Sequence, residues 1–347
     1  MATASNFCEI VKANLNLDAT YTQAGLLESL ISGANVQAGA FQPIESRGNG
    51  KKKTQLVRYM SPVLASSVEA GVLGTDPNPT FCDGDIANYK EEQFEVNNFA
   101  HVSQTISAYD MASFCEGTNT VVMDVIKSMI RQLVKSVDTQ LIALYDNVRG
   151  KTSAGNGTPI SGLAFSDYAN LAASPAIMDA ISSEFFALDV TGRPIVVGGQ
   201  ILDQYSRAAG IGCCNNFGQE VSSFAGNAAL FTDTSFNAAN LGAAPANNDW
   251  FVYPAGTVQL LDWNLADNSR VAMGSGDLVS STVIEIPVGE QENFSVDLDV
   301  TYDECNKVWA ISLTKYFGLM HVPADYFNVG DEYEGVNYML RFRPTTA

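Results

Sequence analysis

The chain has 347 residues, 46% hydrophobic and 16% charged, with 19 Lys and Arg against 38 Asp and Glu for a net charge of −19. That length and apolar fraction support one large unit or two closely joined subdomains around a sizeable core, and so acidic a balance excludes a protein that grips bare nucleic acid through a positive surface. No segment approaches the ~20 apolar residues of a membrane-spanning helix, and six cysteines without a CxxC pair, beside two histidines, leave little for a zinc site.

Met1–Asn6 has no basic or apolar signal region, so folding in the cytoplasm with reduced thiols is the expectation, and the vicinal Cys213 and Cys214 read as small buried residues. Residues 7–32 predict one or two short helices, with Leu15, Leu17, Leu26, Leu27, Leu30 and Ile31 as apolar positions and Gly25 and Gly33 as interruptions. Residues 40–70 change character. Arg47, Lys51, Lys52, Lys53 and Arg58 put five of the nineteen basic residues into twelve positions, with Gly48 and Gly50 among them. Thr54–Met60 then alternates polar and apolar residues as a half-exposed strand does. The simplest shape is a long two-stranded excursion with a basic, Gly-rich tip; a solvated charged loop is the plainer reading.

Residues 72–85 are turn-rich, and 90–107 alternate again with an irregularity. From Thr118 to Val148 apolar residues recur with a 3.6-residue period, which predicts one long amphipathic helix of ~45 Å. Thr118 or Asn119 can cap its start and Gly150 stop it, and Lys127, Arg131 and Lys135 fall four apart on its polar face. A helix over 174–187, with Pro175 in its first turn, a buried strand at 195–199 and a helix over 200–209 come next. Residues 210–249, rich in Gly, Asn and Ala, support no assignment. Residues 249–253 and 257–263 read as strands around the turn 254–256. The clearest hairpin pairs 294–302 with 307–317; Phe294, Val296, Leu298, Val300 and Tyr302 point one way, and Ser295, Asp297, Asp299, Thr301 and Asp303 the other. Residues 336–342 are extended.

Catalytic motifs do not survive inspection. A phosphate-binding loop around Gly50-Lys51 would need Gly where Glu45 stands and Ser or Thr where Lys52 stands. Gly210 and Gly212 lack the third glycine of a dinucleotide fingerprint, and neither GxSxG nor HExxH occurs. Asp297, Asp299 and Asp303 suggest a calcium loop, but Tyr302 replaces its glycine and Val308 its final glutamate. Neither catalytic residues nor a cofactor nor a metal site is therefore predicted.

The order of elements carries more information than any residue. A helical arm, a basic two-stranded excursion, a strand region, a long helix, a mixed section containing Thr191-Gly-Arg-Pro-Ile-Val-Val-Gly-Gly199 and a closing hairpin succeed one another. This order resembles the HK97-like major capsid proteins of tailed double-stranded-DNA bacteriophages. The resemblance implies an α+β fold with an N-terminal arm over 1–38, an E-loop over 39–72, a peripheral domain over 73–160 whose spine helix is 118–148, an axial domain over 161–290, and a peripheral return over 291–347. It further implies a non-enzymatic subunit that assembles with itself into pentamers and hexamers of an icosahedral head. Its other partners would be portal, decoration and scaffold proteins, with any scaffold a separate chain because Met1 opens the sequence. The enclosed DNA would be held without sequence-specific binding and without a membrane, in a virion put together in the host cytoplasm. Arg47, Lys51, Lys52, Lys53 and Arg58 would form the inter-subunit contact of the E-loop. No Asn or Glu motif matches the family's covalent cross-linking machinery. An encapsulin-like shell, a tail-tube subunit and an enzyme are the alternatives.

Overall fold

A computed structural model of the chain describes residues 4–14, 24–32, 54–60, 89–117, 121–148, 164–165, 181–182, 185, 193–212, 228–237, 240–241, 244–245, 249–265, 278–288, 293–321, 338–342 and 345–346. Two helices come first, α1 (Ala4–Asn14) and α2 (Gly25–Ile31). Gly25, expected as an interruption, opens α2 instead. The reason is space, since a Cβ at this position would lie 2.4 Å from the carbonyl oxygen of Thr232.

β1 (Thr54–Met60) pairs antiparallel with β2 (Tyr89–Glu95), from Thr54 opposite Glu95 to Met60 opposite Tyr89. The excursion is two-stranded, as its alternation predicts. The register, however, places residues 61–88 between the strands and carries the ladder on to Glu95, beyond the expected end at 72. Thr54, the first described residue after the basic run, therefore stands at the other end of the ladder, opposite Glu95 and close in sequence to the start of β3 (Asn98–Ser107). Alternation marks a strand without naming its partner. The irregularity expected within 90–107 is the break at 96–97 between β2 and β3.

β3 turns directly into α3 (Ala108–Cys115), with Ser107 Oγ accepting the Asp110 N–H at 3.1 Å as N-cap. The long helix follows as α4 (Val121–Val148). Its buried stripe runs Val122, Ile126, Met129, Ile130, Leu133, Val134, Val137, Leu141 and Tyr145, the predicted face. The expected caps at Thr118, Asn119 and Gly150 lie outside the described residues.

α4 lies across a five-stranded antiparallel sheet. Its central strand is β13 (Val308–His321). β3 runs along one edge of it, and β12 (Asn293–Asp303) along the other. β10 (Val258–Trp263) takes over on the β12 side, since Tyr316 and Phe317 pair with both β3 and β10. β11 (Val279–Pro287), which alternation had not revealed, pairs with β12 along its whole length. The turn of the 293–321 hairpin is closed by Asp303, whose carboxylate accepts the N–H of Cys305 at 2.9 Å and of Asn306 at 3.2 Å. The Asn306 side-chain amide donates to it as well, and these bonds hold the Asp303 carboxyl below its usual range.

A second sheet orders β14 (Leu340–Phe342), β9 (Trp250–Pro254), β5 (Pro194–Gly198) and β6 (Ala229–Thr232). Both of its faces are covered. Ile195, Val197, Phe251 and Tyr253 enter the core under α4, while Val196, Trp250, Val252, Leu340 and Phe342 enter a smaller core with Ile201, Leu202 and Tyr205 of α5 (Gln200–Gly212). That double burial explains why these strands read as unbroken apolar runs. Strands β9 and β10, expected side by side around 254–256, part into different sheets. The expected boundary at 290 falls inside the long sheet, because β10 and β11 precede it in the chain yet pair with β13 and β12. Within the segment left unassigned, β6, a 3-10 turn at Ser235–Asn237, and the short pair β7 (Asn240–Leu241) and β8 (Ala244–Pro245) are formed. Of the helix expected over 174–187, residues 181, 182 and 185 are described and helical. A short parallel pair joins β4 (Ala164–Phe165) to β15 (Thr345–Thr346).

Candidate assembly surface

One face of the long sheet packs against α1 and α4. On β3 the outward residues are Phe99, His101, Ser103 and Thr105, all exposed. Their cross-strand partners on β13 are Tyr316, Thr314, Ser312 and Ala310. His101 Nδ1 and Thr314 Oγ1 share a hydrogen bond of 2.8 Å, and the Phe99 and Tyr316 rings stand 6.3 Å apart. This stretch of β3 and β13 is hydroxyl-rich and carries no Asp, Glu, Lys or Arg, in a chain of −19; Asp299 and Asp303 follow on the same face of β12. Covering it with protein desolvates few ions, which suits the centre of an interface. Lys135 and Arg131 stand exposed along α4 with Lys127 half-buried, forming the basic row expected on its polar face.

Of the contact residues expected from the sequence, Arg58 is the one that falls within a described element. Arg47, Lys51, Lys52 and Lys53 lie outside the described residues. Arg58 sits in β1 with Glu91 as its cross-strand partner, and its side chain is likewise outside them.

Three buried polar clusters were missed. Lys315 on β13 is fully buried, and its Nζ donates to Asp262 Oδ2 at 2.9 Å, Asn264 Oδ1 at 3.0 Å and Ser295 Oγ at 3.1 Å, 4.8 Å from the Phe294 ring centre. Burial lowers its pKa, opposed by the Asp262 charge. Nearby, the Leu265 N–H donates to Asp297 Oδ2 at 2.6 Å. Asp297 keeps its expected parity, opposite Thr314 and away from Val296 and Leu298, but it is 1% exposed because the chain leaving β10 covers it. Arg341 on β14 donates from Nη1 to Asp146 Oδ1 at 2.9 Å, and from Nε to Asp249 Oδ2 at 2.7 Å, with Nη2 on the same oxygen. Asp138 of α4 and Asp233 after β6 meet beneath α2. All three clusters join separate parts of the chain. Among the described residues, no group of three or more His, Cys, Asp or Glu is placed to hold a metal ion. No helix is long and apolar enough to cross a membrane among those residues.

A long helix laid across an antiparallel sheet, a second sheet buried on both faces, a projecting two-stranded ladder and an N-terminal helical segment together make the HK97-like capsid fold. Among solved structures, the capsid of Ralstonia phage GP4 matches over 95% of this chain and 93% of its own, with a TM-score of 0.50 at 8% sequence identity. The capsid of the cyanophage P-SCSP1u matches over 91% and 92%, with a TM-score of 0.43 and 12% identity. The SrpI encapsulin complex of Synechococcus elongatus PCC 7942 matches over 88% and 84%, with a TM-score of 0.43 and 8% identity. No family model matches the sequence, and no curated protein does. At these identities the likeness is one of fold.

Proposed function

We propose that this chain is the major capsid protein of a tailed double-stranded-DNA bacteriophage, assembling into pentamers and hexamers that close into an icosahedral head around the packaged genome. The observation that carries the reading is the fold likeness to the Ralstonia phage GP4 capsid across nearly the full length of both chains. The acidic balance supports it, since a wall of −19 per subunit repels the DNA it encloses. In this reading the 1–38 segment is the arm, the β1–β2 ladder is the E-loop, α4 with the long sheet is the peripheral domain, and the second sheet with α5 is the axial domain. Arg47, Lys51, Lys52, Lys53 and Arg58 reach a neighbouring subunit's acidic surface. The mature shell is part of a virion, with portal, scaffold or decoration proteins as further partners.

Negative-stain microscopy of the purified chain, with any separate scaffold supplied, tests the reading. Closed shells or capsomer rings are the expected particles. Tubes would assign the chain to a tail instead. Monomers alone, under ionic conditions matching a virion, would overturn self-assembly.

A further inference from the structure

The N-terminus of α2 is held by two acids from distant parts of the chain. The Leu26 N–H donates to Asp233 Oδ2 at 3.0 Å, and the Leu27 N–H to Asp138 Oδ1 at 3.1 Å. Asp138 is fully buried in the middle of α4, and Asp233 is 3% exposed just beyond β6. Because they accept from consecutive backbone amides of α2, the two carboxyls lie side by side in the core. Among the described residues no cation forms an ion pair with either. Both oxygens of Asp233 are occupied, because Oδ1 accepts the Ser235 N–H at 2.7 Å. Asp138 Oδ2, by contrast, is buried and meets no donor from another group.

Two adjacent, buried carboxylates without a cation repel each other too strongly for both to stay ionised. A single proton resolves the repulsion and the orphaned oxygen together. The donor inventory says where it sits: Asp233 accepts two N–H groups, which favours its ionised form, whereas Asp138 has the free oxygen.

We propose that Asp138 and Asp233 form a proton-held latch, in which the acid form of Asp138 donates to the Asp233 carboxylate and so fastens α2 to α4 and to the end of β6, and loss of that proton releases α2. The fit leaves no room for the helix to slide aside, since Gly25 abuts the Thr232 carbonyl. Burial and the Asp233 charge push Asp138 well above the ordinary aspartate range, and burial pushes Asp233 up against its hydrogen bonds. The other groups facing the latch are Ser235 and, on α2, Ser29, which shares a 2.7 Å hydrogen bond with the Tyr253 hydroxyl of β9. Burial raises that phenol too, so it stays neutral. Glu28, on α2, is half-buried. A carboxyl whose pKa rises on folding stabilises the docked state below the ordinary aspartate range and loses that contribution as pH climbs through the raised value. The latch is therefore closed in acid and opens toward alkaline pH, the reverse of a carboxylate held by an ion pair.

Infrared spectra of the folded chain near neutral pH should contain the carbonyl stretch of a protonated carboxylic acid, and Asp138→Asn should remove it. Hydrogen exchange at the Leu26 and Leu27 amides, corrected for intrinsic exchange, reads the latch itself. Their protection should fall by up to about tenfold per pH unit as the pH climbs from the ordinary aspartate range toward the raised Asp138 value and stay level in Asp138→Asn. The proposal is overturned if the band is missing, if protection in the native chain ignores pH, or if Asp138→Asn shows the same fall. An Asn amide reproduces the shape and the donor of the protonated acid, so failure of that variant to fold would overturn it as well.

Discussion

Arg341 ties β14 to the long helix and to the start of β9 through Asp146 and Asp249. Asp249 is fully buried. Removing the guanidinium takes its charge-assisted hydrogen bonds from a buried carboxylate, and such losses run to about 3–5 kcal/mol. Arg341→Ala is expected to lose that much in urea unfolding; a loss under about 1 kcal/mol would mean that water replaces the guanidinium at Asp249. Single residues were unevenly legible. Asp138 stands on the apolar stripe of α4, between Val134 and Leu141 at helical spacing, and an acid there signals a buried site. Lys315 likewise takes the core parity of β13, between the buried Leu313 and Phe317. Neither oddity says what satisfies it. Arg341 and Asp249 gave no local sign, since their partners are set only when β14 pairs with β9.

Elements were legible as far as their own periodicity reaches. The stripe of α4, the break between β2 and β3, and the 293–321 hairpin each bury a face that repeats within one segment. Pairing between segments follows a different logic, because any strand edge offers the same backbone donors and acceptors. Hence β1 was recognised and its partner was not, and the side-by-side β9 and β10 end in different sheets. Gly318 marks one such junction. A Cβ there would lie 2.5 Å from the carbonyl oxygen of Glu95, where β13 passes the base of the β1–β2 ladder. The neighbour is backbone, so it cannot swing away. Gly318→Ala is expected to cost about 1–3 kcal/mol as an overpacked contact, with amide exchange rising first around Glu95. Unchanged exchange and unchanged unfolding would show that the ladder is free to shift at its base.

At the scale of the whole molecule, the proposed assembly turns on charge. With a net charge of −19, every subunit would offer an acidic partner to the run Arg47 to Lys53 of the next. One exposed pair contributes only about 0–1 kcal/mol, and in the proposed rings repetition would make the sum decide assembly. Replacing Lys51, Lys52 and Lys53 together with Glu is expected to leave the melting temperature of the isolated subunit unchanged while abolishing shells or shifting assembly strongly with salt. Normal shells at low and moderate salt would remove these residues from the contact. The sequence by itself determined the α+β character, the long helix, the closing hairpin and the absence of a recognisable catalytic motif, all properties written in local period and composition. Only the tertiary structure decided which strands share a sheet, that β10 and β11 join the long one, and that Asp138, Asp233, Asp297 and Lys315 are buried with partners. Local period is set by backbone geometry within one segment, whereas pairing and burial depend on which distant segments exclude water together.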